Sequence, residues 1–565
     1  MKKIINDPRH VVREMLEGAV SRSPGQALLS DQNVVVRKRN DGDSTVAILS
    51  GGGSGHEPAH AGYVGEGLLA AAIAGDVFTS PSVDAVLAAL RVVGGPAGAV
   101  LVVKNYTGDR LNFGLAAEIA RSEGIPVEVV TVADDVALRD TVAPDKRRGI
   151  AGTVLIHKVV GAAAAAGKPL AEVAESGRRA AAGLGSMGVA LGSCTVPAAG
   201  RPGFELGEQE VEYGLGIHGE PGVRKGPIAT ADGLADTVLT AIIDDLGLTR
   251  GQRVALLVNG LGATPPMELD ILLRSALRFL EARGMEVARA WCGNFLTALD
   301  MPGASLSLLK VDDELLALLD APASAPAWPG GGKLNDAPVL QVEHAPDEAL
   351  AITAPTPMGD AVRKASHAAA RALLAAEDEL TELDTKAGDG DLGASLRRGA
   401  EAILELPGHA WHTPAMALRN MADAVRKAIG GSSGPFYATG LMRAARELDG
   451  VDDPQPLQWH DALLAATDAI AELGGAKAGD RTMLDALYPA ARAYKEALDA
   501  GMIASQALEA MHVGASRGAD ETATLRANAG RAAYLGERAM GVRDGGAVAV
   551  SIWVGALHTF SIETH

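Results

Sequence analysis

Short apolar runs that end in glycine-rich turns recur through the first 320 residues of the chain. TVAILS (45–50) leads into GGGSGHEP, and AVLVVKNYTGD (99–109) leads into a helical pattern followed by a second apolar run, VEVVTVA (127–133). RVALLVNGLG (253–262) precedes the helical pattern MELDILLRSALRFLEARG and a further strand candidate. Strand, loop, helix and strand in this order predict an α/β fold, arranged in two blocks on either side of roughly residue 185.

The pattern changes after residue 320. A stretch rich in proline, alanine and glycine (320–349) predicts a semi-extended linker with at most one short strand. From about residue 357 the apolar positions follow a helical period, and strand-like runs almost vanish until AVAVSIWVG (547–555). We therefore expect a multidomain chain, with two α/β subdomains followed by an all-α domain. The predicted boundaries are 1–184 and 185–320 for the subdomains, 321–356 for the linker and 357–565 for the helical domain.

The charge and composition of the chain exclude some classes of function. The net charge of −19 argues against a nucleic-acid partner, because neutralising phosphates requires a basic face. An acidic protein that handles phosphates must use glycine-rich backbone N–H groups, a few basic residues and metal ions. Cys194 and Cys292 lie far apart, which fits a reducing compartment. We find neither a signal-peptide pattern nor an uninterrupted apolar run of roughly 18–20 residues, and we expect a cytoplasmic protein without a membrane partner.

Two segments place polar side chains after predicted strands of the first block. In GGGSGHEPAHAG (51–62), the glycines would let backbone N–H groups approach a small polar ligand, with His56 at the end of the loop. VKNYTGDRLNFG (103–114) contributes Lys104 and Asp109. Asp109 could cap the following helix or act as a base, and His56 could also be a simple cap. Because open α/β sheets bind ligands beyond the carboxyl ends of their strands, we expect these groups to converge.

A third segment, GLGIHGEPG (214–222), surrounds His218 with glycines. Such a histidine can be an ordinary surface-loop residue. Alternatively, a neutral imidazole is a competent nucleophile toward a carbonyl carbon, and flanking glycines would give a ligand access to it. The following EPG would supply a rigid turn. The residues alone leave both interpretations open.

The helical domain contains an acidic cluster in LDTKAGDGDLG (383–393). Asp384, Asp389 and Asp391 would repel one another unless a hard cation such as Mg²⁺ or Ca²⁺ neutralised them, although a solvated acidic turn is the alternative. The spacing is not that of an EF-hand. IGGSSGPFYATGL (429–441) suits phosphate oxygens, and two more glycine-punctuated turns follow in 474–487 and 530–547. No Walker A sequence is present.

These segments, taken in order, resemble the single-chain, ATP-dependent dihydroxyacetone kinases over nearly the whole chain apart from the linker. The resemblance implies a ketone-binding K domain of two α/β subdomains and an L domain, a barrel of about eight antiparallel helices that binds ATP. It implies transfer of the ATP γ-phosphate to a terminal hydroxyl of dihydroxyacetone, held as a covalent hemiaminal on His218. In that family's mechanism Asp109 takes the hydroxyl proton and His56 hydrogen-bonds the substrate oxygens.

The resemblance also assigns binding residues. Those expected to bind substrate are Gly53, Ser54, Gly55, His56, Lys104 and Asp109. The expected ligands of Mg²⁺ are Asp384, Asp389 and Asp391. Those expected to bind ATP are Gly390, Asp391, Leu392, Gly393, Ser432, Ser433, Gly474, Thr482, Met483, Asp544, Gly545 and Gly546.

Two segments depart from the family pattern. The family commonly has Asp-Pro-Gly at 544–546, where this chain has Asp-Gly-Gly, and often has Cys-Gly-Thr-Thr at 392–395, where this chain has Leu-Gly-Ala-Ser. The second change removes a hydroxyl near the phosphates and leaves only Ser395. Neither touches the three carboxylates or the three proposed catalytic residues, so we expect activity to survive.

Several alternatives remain within this resemblance. Fusion of both domains favours exchangeable ATP over a phosphotransferase relay, and the family suggests a homodimer in which K and L domains pair between subunits; pairing within one chain is also compatible. The substrate could instead be erythrulose or glyceraldehyde, and a side activity could split FAD to cyclic FMN. A ketose-binding regulator that acts through protein contacts is the alternative from a different class.

Overall fold

The structure is a computed structural model. It describes residues 2–38, 44–220, 222–336, 339–340, 354–530, 533 and 540–563. The chain forms two compact units, Met1–Leu340 and Gln341–His565. The predicted linker (321–356) falls partly on 337–338 and 341–353, which lie outside the described residues.

The first unit contains two six-stranded sheets. The strands of the first sheet are β1 (Gln26–Leu28), β2 (Val34–Arg37), β3 (Ala47–Ser54), β4 (Ala71–Val77), β5 (Ala99–Lys104) and β6 (Val127–Val132). Their order is β1-β2-β4-β3-β5-β6, with β4, β3, β5 and β6 parallel to one another. Every residue of β3 and β5 is buried, as expected for central parallel strands covered on both faces.

The second sheet is mostly antiparallel. Its strands are β7 (Leu184–Ala190), β8 (Glu210–Tyr213), β9 (Arg224–Pro227), β10 (Arg253–Gly260), β11 (Glu286–Gly293) and β12 (Gly303–Lys310). Their order is β11-β10-β12-β7-β8-β9, and only β10 and β11 run parallel. Two α/β sheets therefore follow one another along the chain, as the alternating pattern predicts.

One buried helix connects the layers of the first unit. The helices here are α1 (Val11–Ser21), α2 (Val83–Val93), α3 (Thr107–Ser122), α4 (Thr153–Ala165), α5 (Leu170–Ala182), α6 (Ala231–Leu246), α7 (Pro266–Ala282) and α8 (Asp313–Asp320). Every residue of α4 except the last is buried, and most of these residues are apolar; the exceptions are Thr153, His157 and Lys158. The hydrophobic core that contains α4 also includes Val100 and Val102 of the first sheet and Leu257 and Trp291 of the second.

The start of the predicted linker differs from the expectation. The backbone N–H of Ser324 donates to Glu66 O (2.9 Å), that of Ala327 donates to Gly62 O (2.9 Å), and Trp328 is buried. The indole of Trp328 lies 5.3 Å from that of Trp291. This segment belongs to the first unit because its apolar side chains complete that core, which a composition-based linker prediction ignores.

The second unit is all-helical in its described part. Its helices are α9 (Pro357–Ala375), α10 (Glu377–Ala387), α11 (Leu392–Leu404), α12 (Pro414–Ala428), α13 (Ser433–Glu447), α14 (Pro456–Gly474), α15 (Leu484–Asp499), α16 (Ala504–Glu521) and α17 (Gly545–Glu563). Contacts run from α9 to α11 and then successively through α12 to α17, which packs back against α9. These eight helices close a ring, which is the architecture of a helical barrel.

Helix α17 corrects two details of the sequence analysis. The strand-like run AVAVSIWVG lies inside this helix, because packing against α9, α15 and α16 outweighs the β-propensity of its branched residues. An 18-residue stretch of this helix also has a mean hydropathy of 1.4, so the helix meets the length and composition of a membrane span. Core helices of soluble proteins pass the same test, and α17 contributes Val548, Val550 and Val554 to the core of the second unit.

Candidate active site

Glycines at the end of β3 bring the chain close to the end of β5. Gly52 has φ +152°, and a Cβ atom added there would lie 2.5 Å from Nζ of Lys104, the last residue of β5. A Cβ at Gly53 would lie 2.6 Å from the backbone nitrogen of Thr79. The carboxyl ends of β3 and β5 are therefore in close contact. Glycine is needed at residues 52 and 53 because a larger side chain would collide with the neighbouring residues.

The remaining residues of this loop hold its shape. The hydroxyl of Ser54 donates to Gly75 O (2.7 Å), and the backbone N–H of Gly55 is 3.1 Å from both carboxylate oxygens of Glu57. The structure thus engages the side chain of Ser54 with the protein itself. Its expected role in binding substrate is not evident from these contacts.

His56 is completely buried and neutral. Its Nδ1 lies 2.7 Å from Thr297 O, a carbonyl that can only accept, so Nδ1 carries the proton. Burial lowers the pKa of His56 well below its usual value, and the charges of His218 and Lys104 lower it further. Nε2 has no hydrogen-bond partner among the described residues. It is therefore a free acceptor facing whatever occupies the site.

The ring of His218 is enclosed by three other rings. Ring centroids lie 4.9 Å away at His56, 5.3 Å at Phe78 and 4.6 Å at Tyr106. The side chain is 18% exposed, and its Nδ1 lies 3.0 Å from Oε1 of Glu220. The His218 ring is therefore packed against other rings and is not an exposed surface-loop side chain; its functional role stays a prediction.

Lys104 and Asp109 both lie close to Gly52, because a Cβ atom added there would be 2.5 Å from Nζ of Lys104 and 3.6 Å from Oδ2 of Asp109. Lys104 is fully buried; its Nζ donates to Gly51 O (3.2 Å) and lies 2.8 Å from Nε2 of His60. Burial lowers the pKa of Lys104, and the nearby Asp109 carboxylate partly opposes this. Asp109 stands in the first turn of α3 and is 3% exposed. Its Oδ1 has no hydrogen-bond partner in the described chain, and the N-cap position of α3 is Tyr106, not Asp109.

Four residues of this enclosure were missed by the motif analysis: Phe78, Tyr106, Glu220 and Thr297. Tyr106 and Glu220 lie inside quoted motifs and could have been noticed there. Phe78 follows β4 with φ 59°, and Thr297 follows β11; neither carries a local signal of function. They reach the site only through tertiary packing.

The second unit brings three carboxylates together. Ligand oxygens of Asp384, Asp389 and Asp391 all lie within 4.8 Å of one another. Oδ2 of Asp384 accepts from the backbone N–H groups of Asp391 (2.9 Å) and Leu392 (3.2 Å), which fixes its direction. Gly390, with φ +79°, allows the tight turn between the other two. Three close oxygen donors, two of them exposed, fit a hydrated divalent cation such as Mg²⁺.

The charges around Asp544, in the turn before α17, are consistent with a cation at the acidic cluster. Burial is the largest cause that raises the pKa of Asp544 to about 6; Asp485 and Asp384 contribute to the rise, and the Ala547 N–H and Arg481 oppose it. Negative charge is thus concentrated around the Asp384 cluster. A bound cation would relieve this charge.

Several expected ATP-binding residues gather at helix N-termini beside the acidic cluster. Gly545 begins α17, and a Cβ added there would lie 2.7 Å from the side chain of Leu392, the first residue of α11. A Cβ at Gly546 would lie 3.6 Å from Cβ of Met483, the N-cap of α15. Helix N-termini present free N–H groups to anions, so this arrangement suits phosphates.

The other expected ATP-binding positions are distributed around these helices. Thr482 donates its backbone N–H to Asp485 (2.7 Å), and a Cβ at Gly393 would lie 2.1 Å from Oγ1 of Thr381. Ser432 and Ser433 stand at the N-terminus of α13, and Gly474 ends α14. Part of the glycine-punctuated turn in 530–547, residues 531–532 and 534–539, lies outside the described residues.

Comparison with known proteins places this geometry in a family. Residues 17–327 match the Dak1 domain, and residues 386–559 match the DAK2 domain. The chain is 45% identical to a putative 3,4-dihydroxy-2-butanone kinase of Solanum lycopersicum, over 98% of this chain and 97% of that protein. The chain belongs to the dihydroxyacetone kinase family. It is therefore an enzyme with the K and L domains of this kinase family.

Two further members are informative. The chain is 42% identical to the triokinase/FMN cyclase of Homo sapiens, over 97% of both proteins. The crystal structure of the dihydroxyacetone kinase from C. freundii in complex with AMP-PNP and Mg²⁺ is 33% identical, covers 99% of both chains and has a TM-score of 0.64. That complex shows ATP-analogue and Mg²⁺ binding in a homologous dihydroxyacetone kinase.

Proposed function

We propose that this chain transfers the γ-phosphate of ATP to a terminal hydroxyl of dihydroxyacetone, giving dihydroxyacetone phosphate. The observation that supports this most directly is the placement of His218. Its imidazole lies between His56, Phe78 and Tyr106, with its Nδ1 bonded to Glu220. Nε2 is the ring nitrogen left to react with a small carbonyl compound.

Capture of the ketone on His218 would give the enzyme its selectivity. Nε2 adds to the carbonyl carbon, the C=O π electrons move to the oxygen, and a hemiaminal forms. Glycerol has no carbonyl and cannot form this bond, so it would be excluded by chemistry instead of by small differences in contact. The covalent bond also fixes the terminal hydroxyl for transfer.

The surrounding groups would bind the captured substrate and remove the proton. His56 Nε2 is an acceptor, so it would receive a hydrogen bond from a substrate hydroxyl. The buried Asp109 has an unpartnered Oδ1 and would take the proton as the hydroxyl oxygen attacks the γ-phosphorus. The bond from phosphorus to the β-phosphate bridging oxygen breaks, and ADP leaves.

The second unit would hold the phosphoryl donor. Asp384, Asp389 and Asp391 would hold Mg²⁺, which neutralises phosphate charge when bound. The N–H groups at the starts of α11, α13 and α17 would orient the phosphate oxygens. Such transfer needs positioning and charge neutralisation more than covalent help from the protein.

Related substrates are the second candidate. The Solanum lycopersicum relative is named for a four-carbon ketone, and the Homo sapiens relative is named triokinase and FMN cyclase. Erythrulose, glyceraldehyde and FAD therefore belong in the substrate panel. A homodimer and a cytoplasmic location complete the proposal; the first can be tested by the mass of the particle in solution.

The test is ADP release by the purified protein with Mg²⁺-ATP, offered dihydroxyacetone, erythrulose, glyceraldehyde and glycerol. We expect turnover with a carbonyl substrate and none with glycerol, and loss of turnover in His218→Ala. The same protein is incubated with FAD and Mn²⁺ without ketose to detect the cyclase. If no carbonyl compound stimulates ADP release in the intact protein, the proposed function is wrong.

A further inference from the structure

Glu220 makes two contacts with one residue. Its Oε1 lies 3.0 Å from Nδ1 of His218, and its Oε2 accepts the backbone N–H of the same residue at 2.9 Å. The carboxylate therefore holds both the ring and the main chain of His218. The rings of His56, Phe78 and Tyr106 enclose this imidazole, and Glu220 adds a hydrogen bond to its Nδ1 from within the same loop.

The charge of Glu220 decides which ring nitrogen is protonated. Burial raises the pKa of this carboxyl, but its hydrogen bonds and charge interaction with His218 prevail and bring the pKa to about 2. A carboxylate only accepts, so Nδ1 of a neutral His218 must carry the proton. Nε2 then keeps its lone pair.

A second ion pair fixes the loop from the other side. Arg148 bonds to Asp135 (2.7 Å) and donates to the carbonyl oxygen of Gly214 (2.8 Å), at the start of the loop that carries His218. The side chain of Asp135 is fully buried and that of Arg148 is 14% exposed. A Cβ at Gly216 would lie 2.0 Å from Oε2 of Glu220 and 2.6 Å from a guanidinium nitrogen of Arg148. The loop is therefore packed tightly between these two charged side chains.

We propose that Glu220, supported by the Arg148–Asp135 pair, is the positioning residue that makes Nε2 of His218 the nucleophile and compensates the charge that ketone capture creates. The proposal rests on the proposed function, because it concerns the same capture step. The sequence analysis gave Glu220 a place only in the EPG turn and assigned no role to Arg148 or Asp135.

The charges in the step balance as follows. When the Nε2 lone pair forms a bond to the carbonyl carbon, the ring becomes cationic and the carbonyl oxygen becomes an alkoxide. The Glu220 carboxylate stabilises the cationic ring through the Nδ1–H bond. The Nδ1 proton then passes by way of Glu220 to solvent, and the alkoxide takes one proton from solvent. This gives the neutral hemiaminal with Glu220 again a carboxylate, and no oxidant or reductant is needed.

The chain offers a matched control on the same hairpin. Glu212 is also buried, and its Oε1 accepts the backbone N–H of Gly222 at 2.8 Å. It anchors the far end of the same loop, but the described contacts do not join it to the His218 ring. Glu220→Gln and Glu212→Gln therefore remove the same charge from two different contacts of one loop, one at His218 and one at Gly222.

The experiment reads the tautomer and the capture separately. Nitrogen NMR of the full chain labelled with ¹⁵N-histidine, without substrate, reports which His218 nitrogen carries the proton; His218→Ala identifies its signals. Carbon NMR with [2-¹³C]dihydroxyacetone reports conversion of the carbonyl carbon to a tetrahedral carbon on the protein. ADP release gives kcat/KM.

We expect the Nδ1–H tautomer in the wild type and a loss of this preference in Glu220→Gln. Ketone capture and kcat/KM should fall roughly 10- to 100-fold, the size typical for removing a carboxylate that orients a histidine. Glu212→Gln should keep both the tautomer and the capture.

Three results would overturn the inference: an Nε2–H tautomer in the wild type, unchanged capture in Glu220→Gln, or an equal loss in Glu212→Gln. A wrong proposed function would give a different set of results from a wrong role for Glu220. In that case, the intact protein would show no tetrahedral carbon and no ketose-dependent ADP release, while the tautomer of His218 is still read directly.

Discussion

The two candidate sites of this chain are built in opposite ways. In the first unit, functional side chains are buried and each is held by another buried group: His56 by Thr297, and Lys104 by Gly51 and His60. In the second unit, Asp389 and Asp391 are exposed. The first site is held by contacts within the protein, whereas the second leaves two carboxylates exposed, which a bound cation would stabilise.

This difference follows from what each site must do. Recognition of a small ketone depends on a few contacts, so every group needs a fixed position. A nucleotide with its metal ion brings charge and many contacts of its own. Glycine turns and helix N-termini can then suffice.

The largest expected effect tests the buried base of the first site. Asp109→Asn should lower kcat roughly 10²- to 10⁴-fold, because general base catalysis is lost while the residues that capture the ketone remain. The measurement is ADP release at saturating ketose. Asp84→Asn is the control, since Asp84 is an exposed acid in the first turn of α2. Equal losses in both variants would contradict a specific role for Asp109.

The next prediction tests whether the second site requires a cation. At about 100 times its dissociation constant, Mg²⁺ should stabilise the folded chain by roughly 2.7 kcal/mol. Asp391→Asn should weaken this gain strongly, since one of three ligand oxygens loses its charge. Melting temperatures are compared with and without Mg²⁺. Glu382→Gln removes an exposed carboxylate of α10 that pairs with Lys386, and it should respond to Mg²⁺ as the wild type does.

The third prediction tests the close approach at the end of β3. Gly52→Ala should destabilise the first unit by about 1–3 kcal/mol, because alanine is strained at φ +152° and its Cβ would displace Lys104. Urea unfolding measures the loss. Gly114→Ala in α3 meets no atom within 4 Å and should instead gain roughly 0.5–1 kcal/mol. A harmless Gly52→Ala would show that the strand ends are not tightly packed.

The fourth prediction concerns the stability of the first unit at low pH, which depends on the buried His157. Burial and then Lys104 lower the pKa of His157 to about 3. Between pH 6.5 and 3, the unfolded chain therefore binds a proton at this residue that the folded chain does not. Stability falls as the pH falls, by about 1.4 kcal/mol per pH unit for one such histidine.

His157→Leu should remove this contribution, and the difference from the wild type should shrink toward pH 7. The measurement is hydrogen exchange of first-unit peptides across this pH range. The exposed His10→Leu variant should follow the wild type. A His157→Leu variant with an unchanged slope would contradict the buried neutral state of this ring.

The smallest effect concerns Tyr106, whose buried hydroxyl has no hydrogen-bond partner among the described residues. Tyr106→Phe should change stability by less than about 1 kcal/mol, because no protein bond is lost. Tyr63→Phe should cost about 1–2 kcal/mol, since that hydroxyl donates to Phe295 O at 2.7 Å. Thermal unfolding compares the two. A large rise in KM for Tyr106→Phe would show that its hydroxyl binds substrate.

Local patterns predicted the architecture better than the site. Apolar runs ending in glycine revealed β3 and β5, because a buried parallel strand and its following turn are both encoded locally. The same local reasoning was wrong for α17, where branched residues suggested a strand, and for the segment around Trp328, which packs instead of linking. In each case tertiary contacts with residues far away in the sequence determine the conformation.

The acidic cluster was visible because its three carboxylates lie close in sequence. Thr297 was invisible because a backbone carbonyl has no sequence signature and meets His56 only through packing of the second sheet. The roles of His218, Asp109 and the carboxylates, suggested by the family resemblance, stay predictions until the variants are measured.

The bond between His56 and Thr297 also has a consequence for the newly made chain. The two residues are separated by 241 positions, and the hydroxyl of Tyr63 likewise waits for the carbonyl of Phe295. At about 5–20 residues per second, a ribosome needs roughly 10–50 s to cover that distance. During this interval the ring of His56 lacks its hydrogen-bond acceptor, so the nascent chain completes this candidate site only after β11 and Thr297 have been synthesised.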